Sequence, residues 1–457
     1  MTRRVAIVGG GITGLALAEA VERKSAGQPI EAIVLEADAT PGGKIKSRRE
    51  EGFVVDDGPH GFLDKEPLVF DLIDRLGLRG DLISANEAAA RRYIVRGGAL
   101  REVPTSPPKF LTSDILPFTG RLRVLFEPFA KSRPDGDESV WSFAARRIGR
   151  QAADVLVDAM VTGIYGGDPK RLSLVSAFPR MREIEDQYGS LIKAQIQIAK
   201  AKKQLPAQAG QPTGTMHSFR DGLGQLTSAL AARSQVRTNF TADRIERNET
   251  FVVHGSGEPV EADAVVLAVP APVAARLIGS QAPAIADTAG AVPYAPIAVV
   301  VQGFDAAAAR ALDGFGFLAP HVEARPVLGS IWASSVFPEQ VPKDTIMFRT
   351  MVGGARNADL ARGSDADIRQ HVRAELAQHC GLAADATPRL ERIIRWPDAI
   401  PQYEVGHTER VAAVDALERE VPGLFVTGNA FRGVALLTCV ADAERVAGRV
   451  VEALSKG

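Results

Sequence analysis

The chain has 457 residues, 46% hydrophobic and 24% charged, which excludes a disordered or fibrous protein and exceeds what one hydrophobic core usually serves. Lys and Arg number 54 against 55 Asp and Glu, so bulk charge gives no reason to expect a nucleic-acid partner. The two cysteines, Cys380 and Cys439, make neither a disulfide framework nor a metal-ligand pattern, which fits a reducing, cytoplasmic setting.

The opening Met1-Thr2-Arg3-Arg4 runs into an apolar strand at Val5–Val8 and then into glycines, unlike a signal peptide. A glycine turn, an alanine-rich helix from Leu15 to about Lys24 and a strand at Ala32–Leu35 follow. Together they make a βαβ unit. A helix is expected around Pro67–Leu76, and the stretch from Pro104 to Phe129 reads as irregular. Two long helical stretches are predicted between Ser139 and Met160 and between Glu183 and Lys203. The second runs into a breaker-rich linker candidate, Gln204 to Gly214. Helix, strand and strand then alternate at Gly222–Arg233, Val236–Arg247 and Ala264–Pro270. Further strands are expected at Ile297–Gln302, Val327–Trp332 and Thr345–Val352, and Gly423–Leu454 returns to strand, turn and helix. No segment has the roughly 18 uninterrupted apolar residues that would span a bilayer. A soluble protein, or one resting on a membrane, is the expectation.

The two ends share one strand-turn-helix pattern, so a nucleotide domain assembled from both is expected, with other parts inserted. The predicted class is α/β (α+β overall) with a Rossmann-like parallel sheet. Its pieces are 1–85, 215–275 and 420–457.

Gly9, Gly11 and Gly14, within Gly9-Gly10-Gly11-Ile12-Thr13-Gly14, have the spacing of a dinucleotide turn. The first glycine permits the tight turn, the second admits a pyrophosphate, and the third lets the helix approach the strand. Glu36, at the end of the second strand, can accept both ribose hydroxyls; its bland reading is a solvated strand-end carboxylate. NAD and FAD share this fingerprint. The balance tips to FAD with Pro41-Gly42-Gly43-Lys44 and Asp56-Asp57-Gly58-Pro59-His60-Gly61, which allow close approach to an extended cofactor. At the far end, Gly428-Asn429 and Gly433-Val434-Ala435 precede a helix whose positive end would face the flavin.

Outside the nucleotide motif stand Gly163-Ile164-Tyr165-Gly166-Gly167-Asp168-Pro169, Ser218-Phe219-Arg220-Asp221-Gly222-Leu223 and Gly314-Phe315-Gly316-Phe317-Leu318-Ala319-Pro320. Gly353-Gly354-Ala355-Arg356 and Ile400-Pro401-Gln402-Tyr403-Glu404-Val405-Gly406-His407 complete the set. With these strings, nearly the whole chain resembles the oxygen-dependent protoporphyrinogen oxidases and their coproporphyrinogen III-oxidising relatives, within the FAD amine-oxidase-like group. The resemblance implies FAD, molecular oxygen as acceptor and a six-electron oxidation of a tetrapyrrole in three flavin cycles.

It also implies a two-dinucleotide-binding-type FAD domain, a helical insertion at 86–190 and a mixed-sheet substrate domain at 191–214 and 276–419. Its FAD contacts would fall on Gly9, Gly10, Gly11, Ile12, Thr13, Gly14, Glu36, Ala37, Gly43, Lys44, Gly58, Pro59, His60, Gly61, Val236, Trp396, Val434, Ala435 and Leu436. Its substrate positions match Arg92, Phe315, Gly316, Leu318 and Met351. Without it, the three apolar side chains would read as core and Arg92 as a surface arginine. One departure is visible: the family's Gly-Val-Gly followed by Asp-Cys reads Gly433-Val434-Ala435-Leu436-Leu437-Thr438-Cys439 here.

Hydride transfer to a flavin needs proximity more than an acid or base, so no side chain is named as catalytic. The seven histidines have no ligand spacing, and no metal is expected. The expected substrate is protoporphyrinogen IX. A coproporphyrinogen III alternative, with four propionates, would draw on Arg96, Arg101 and Arg171, and a flavin amine oxidase is a third reading. Phe110, Phe118, Phe126 and Phe129, interleaved with Arg121, Arg123 and Lys131, suit either a membrane surface or a solvated cap. A homodimer is compatible with the sequence.

Overall fold

The computed structural model describes residues 2–130, 134–204 and 214–456. Two sheets organise it. β1 (Arg3–Val8) leads through a glycine turn into α1 (Ile12–Lys24) and back to β2 (Ile30–Leu35). The first sheet has five parallel strands in the order Gln235–Arg237, β2, β1, Ala264–Leu267 and Leu424–Val426. The near-continuous apolar runs in β1 and Ala264–Leu267 suit a sheet covered on both faces. Val5 and Ile7 pack under α1 and the helix Leu436–Lys456. Ala6 and Val8 face the other way, toward the helices Ala271–Ile278, Pro283–Gly290 and His407–Glu420.

The second sheet has seven strands: Leu390–Pro401, Tyr294–Asp305, Thr345–Gly353, Val327–Trp332, Gly316–Leu318, Tyr93–Arg96 and Ala99–Glu102. One face packs Ala298, Val300, Phe317, Phe348 and Val352 with Ile368, Val372 and Leu376 of the helix Asp365–Cys380. The opposite face carries Val299, Val301, Met347 and Met351, and packs against Phe53 and Val55 of the strand Phe53–Asp56. The Phe53–Asp56 strand and the loop that follows it therefore meet the second sheet on that face.

Several boundaries differ from expectation. Tyr93–Arg96 and Ala99–Glu102 fall where a helical insertion was expected, yet they pair onto the second sheet; after the short 3-10 turn Glu87–Ala90, the first α-helix of this region begins at Pro107. The irregular stretch holds the helices Pro107–Thr112 and Phe118–Leu125. Both long helices are divided, because Gly149 (φ 91°) and Gly189 (φ 65°) take conformations that end a right-handed helix. Leu191–Gln204, expected with the substrate domain, packs on the helix Pro179–Tyr188 and the turn Glu127–Phe129. Apart from its end residues, the linker 204–214 lies outside the described residues, as does Lys131.

Phe118, Phe126 and Phe129 are 65%, 57% and 84% exposed. No helix among the described residues is long and apolar enough to cross a membrane. Cys380 and Cys439 are both buried, and burial pushes their thiols up to about 12 and about 11 respectively.

Candidate active site

The glycine turn between β1 and α1 is built by close contact. A side chain on Gly9 would stand 2.5 Å from the carbonyl oxygen of Ala268, and one on Gly14 would stand 1.9 Å from that of Gly9. Gly11 differs: a Cβ there would meet no protein atom within 4 Å. The start of α1, through Ile12 and Thr13, thus opens onto free space with its unpaired N–H groups and positive dipole end. Glu36 is buried at the tip of β2. Its carboxylate accepts from the backbone N–H of Gly10 (2.6 Å) and of Asp38 (2.8 Å), which fixes both oxygens beside the turn. Ala37 is exposed next to it, and Val236 pairs with Val34 on the neighbouring strand.

A second glycine turn lies against the first, backbone to backbone. Gly42 donates to the carbonyl of Gly10 at 2.8 Å, and a Cβ on Gly43 would stand 3.1 Å from Gly11 Cα. Lys44 sends its ammonium to the carbonyls of Asp398 and Ala399, near the Tyr294 ring. Desolvation pulls its pKa down to about 8, against the opposing pull of Asp398. Gly58 packs on the carbonyl of Lys44, a contact that leaves no room for a side chain (2.3 Å).

The Asp56–Gly61 loop is gripped from the second sheet. The fully buried Arg349 donates to the carbonyls of Asp56 and Gly58, both at 2.7 Å, and the Trp396 indole to that of Asp57 at 2.8 Å. The His60 ring turns inward, with Nδ1 2.8 Å from Asp56 Oδ2 and Phe337 edge-on. Burial holds its pKa below the ordinary histidine value, against the opposing pull of Asp56. Pro59 lies between, and Gly61 packs under Met216.

The C-terminal loop is held by the Ile400–His407 string. Tyr403 donates its hydroxyl to the carbonyl of Asn429 and accepts from Gly433 N–H at 2.7 Å. His407 stacks on Tyr403 with ring centroids 4.1 Å apart and reaches the carbonyl of Phe431 at 3.1 Å. Val434 packs beside Tyr165 and Tyr403, Ala435 is exposed, and Leu436 starts the last helix as a buried residue. The loop after Leu424–Val426 comes near α1, since a Cβ on Gly428 would lie 4.0 Å from Thr13 Oγ1.

Burial first, then Arg410 and Arg432, pull the pKa of His407 down to about 4. An unfolded histidine protonates below about 6.5, so the unfolded state binds the extra proton between the two values. Stability should therefore fall as pH drops from about 6.5 to 4, by up to about 3 kcal/mol from this group. Urea titrations across that range check this: His407→Gln should flatten the slope, and an unchanged slope would refute the assignment.

Three of the five expected substrate residues, Gly316, Leu318 and Met351, share one face of the second sheet, and the other two, Phe315 and Arg92, lie against each other. Leu318 pairs with Gly329, which pairs with Met351, so the three form one cross-strand row. Gly316 and Arg349 occupy the adjacent row through Ile331. Phe315 precedes this strand, and the exposed Arg92 lies over its ring at 5.4 Å. Arg96, Arg101 and Arg171 are each already paired, with Glu323, Asp114 and Glu404.

Sequence reasoning missed Arg349 altogether and gave Tyr403 no role. The signal for Arg349 was available: it is the single charge in Thr345–Val352.

The Gly11 opening, the helix start and the buried Glu36 carboxylate suit a dinucleotide's pyrophosphate and ribose. The family model for flavin containing amine oxidoreductases matches residues 12–451. Protoporphyrinogen oxidase 1 of Arabidopsis thaliana is 31% identical over all of this chain and 89% of its own length. Coproporphyrinogen III oxidase of Staphylococcus aureus is 29% identical over 99% of this chain and all of its own. A provisionally named protoporphyrinogen oxidase from Exiguobacterium sp. 255-15 superposes with a TM-score of 0.85 at 26% identity, covering 99% of each chain. The chain therefore belongs to the flavin containing amine oxidoreductases, among the protoporphyrinogen and coproporphyrinogen III oxidases, and is an oxidoreductase with FAD as its cofactor.

Proposed function

We propose that the protein oxidises protoporphyrinogen IX to protoporphyrin IX with molecular oxygen as terminal acceptor, in tetrapyrrole biosynthesis. The observation that carries this reading is the Leu318–Gly329–Met351 row, an apolar surface beside the gripped Asp56–Gly61 loop. FAD would lie along the two glycine turns, that loop and the Val434–Leu436 helix start, with Glu36 on its ribose. Bound there, it supplies the acceptor for a hydride from the substrate. The chain's part is to hold the macrocycle flat against the row, exclude water and pin the substrate's carboxylates.

Arg92 is the cation assigned to a propionate. The pairing of Arg96, Arg101 and Arg171 supports a two-propionate substrate, because each would first have to leave its carboxylate. The test is turnover of protoporphyrinogen IX and coproporphyrinogen III by the purified holoprotein under air, followed by porphyrin fluorescence. Faster turnover of the four-propionate compound would move the substrate assignment. Turnover of neither would overturn the function.

Arg92→Ala should raise KM about 10- to 100-fold, the worth of one charge-assisted contact, with FAD affinity unchanged. Equal loss of FAD would refute the role. The exposed Phe118, Phe126 and Phe129 support a membrane-surface contact. Co-flotation with anionic vesicles should be lost when all three are replaced by Ser; flotation that persists, or never occurs, rejects it.

A further inference from the structure

We infer that Arg349 is a positioning residue for flavin reduction, a fixed cation that raises the reduction potential of the bound FAD. The inference rests on the flavin lying against the Asp56–Gly61 loop, as proposed above.

Arg349 is unlike the other deeply buried arginines. Arg147 contacts Glu127 and Glu185 at 3.2 and 2.6 Å, and Arg182 contacts Glu138 and Glu185 at 3.1 and 3.2 Å. Arg349 is 2% exposed, donates to the carbonyls of Asp56 and Gly58, and leaves Nε without a partner. The carboxylates nearest it are engaged elsewhere: Asp56 by His60, Ser47 and Leu223, and Asp57 by Arg48. Burial pulls down the pKa of its guanidinium, with Asp56 and Asp57 opposing from a distance.

A buried cation held by carbonyls rather than by a carboxylate is poorly compensated. Its position suggests what completes the balance. It lies two residues before Met351 on the same face of the strand, so it stands where the nucleotide loop meets the apolar row. Oxidised flavin is neutral in its ring; taking two electrons and one proton from the substrate leaves one negative charge. A fixed cation in a dry site favours that product. A unit charge about 10 Å away, at an effective dielectric of about 20, changes the equilibrium by roughly tenfold.

The measurement is the midpoint potential of the holoprotein, by anaerobic titration against a reference dye. Arg349→Gln should lower the reduction equilibrium constant about tenfold, which is about 30 mV for a two-electron couple. Arg349→Lys keeps the charge with fewer donors and should stay within about threefold of wild type. Asp56→Asn, nearly isosteric, removes the opposing charge and should raise the constant about tenfold. A purely structural clamp predicts loss of FAD in both Arg349 variants, with the potential of Asp56→Asn unmoved. An unmoved potential in Asp56→Asn overturns the inference even if Arg349→Gln fails to fold. Wild-type protein that turns over a porphyrinogen while these potentials stay level sinks this inference alone; wild type without turnover sinks the proposed function instead.

Discussion

Replacing Gly11 with Val is expected to leave the ligand-free fold intact while weakening FAD binding more than about a hundredfold. Gly11 has an extended backbone (φ −75°, ψ 179°) that any residue tolerates, and a Cβ there meets no protein atom within 4 Å. The space is nevertheless where a pyrophosphate must approach the start of α1. The branched side chain would take up that approach and shield the N–H groups. Thermal denaturation of the ligand-free variant should match wild type, while FAD titration by fluorescence quenching should show the loss. A variant that stays yellow through purification would mean the cofactor lies elsewhere.

Gly14→Ala should fail differently, losing fold and cofactor together. Its Cβ would stand 1.9 Å from the carbonyl oxygen of Gly9 and 3.1 Å from the carbonyl carbon. Both atoms belong to backbone, so α1 must back away from β1. Overpacking in a tight core costs about 1–3 kcal/mol, and here it also displaces Leu15 and Leu17 from the helix–sheet core. A loss of at least about 3 kcal/mol in ligand-free denaturant unfolding is expected. Unchanged stability would mean that the third glycine does not set the helix–strand contact. Together the two variants separate a residue that serves the ligand from one that serves the packing.

The local grammar of the nucleotide site was legible because its causes are local. A strand, a turn and a helix lie within 24 residues of chain, and Glu36 follows on the next strand. What sequence could not convey depends on partners far along the chain. Tyr93–Arg96 joins the second sheet by pairing with Gly316–Leu318, more than two hundred positions away. Asp365–Cys380 buries a thin stripe, Ile368, Val372, Leu376 and Cys380, among many polar residues, so its helical period is faint. Arg96 read as a free cation because Glu323, its partner, comes from a distant turn. Arg349 is legible only once the Asp56–Gly61 loop is seen crossing its strand.

The two buried thiols have a practical consequence. With both cysteines enclosed and their protons held tightly, neither offers the thiolate that alkylating reagents require. A cysteine engineered onto the surface would thus be the preferred target of a maleimide dye. Substituting it for Phe129 would place a reporter on the most exposed aromatic position, while both native thiols stay buried.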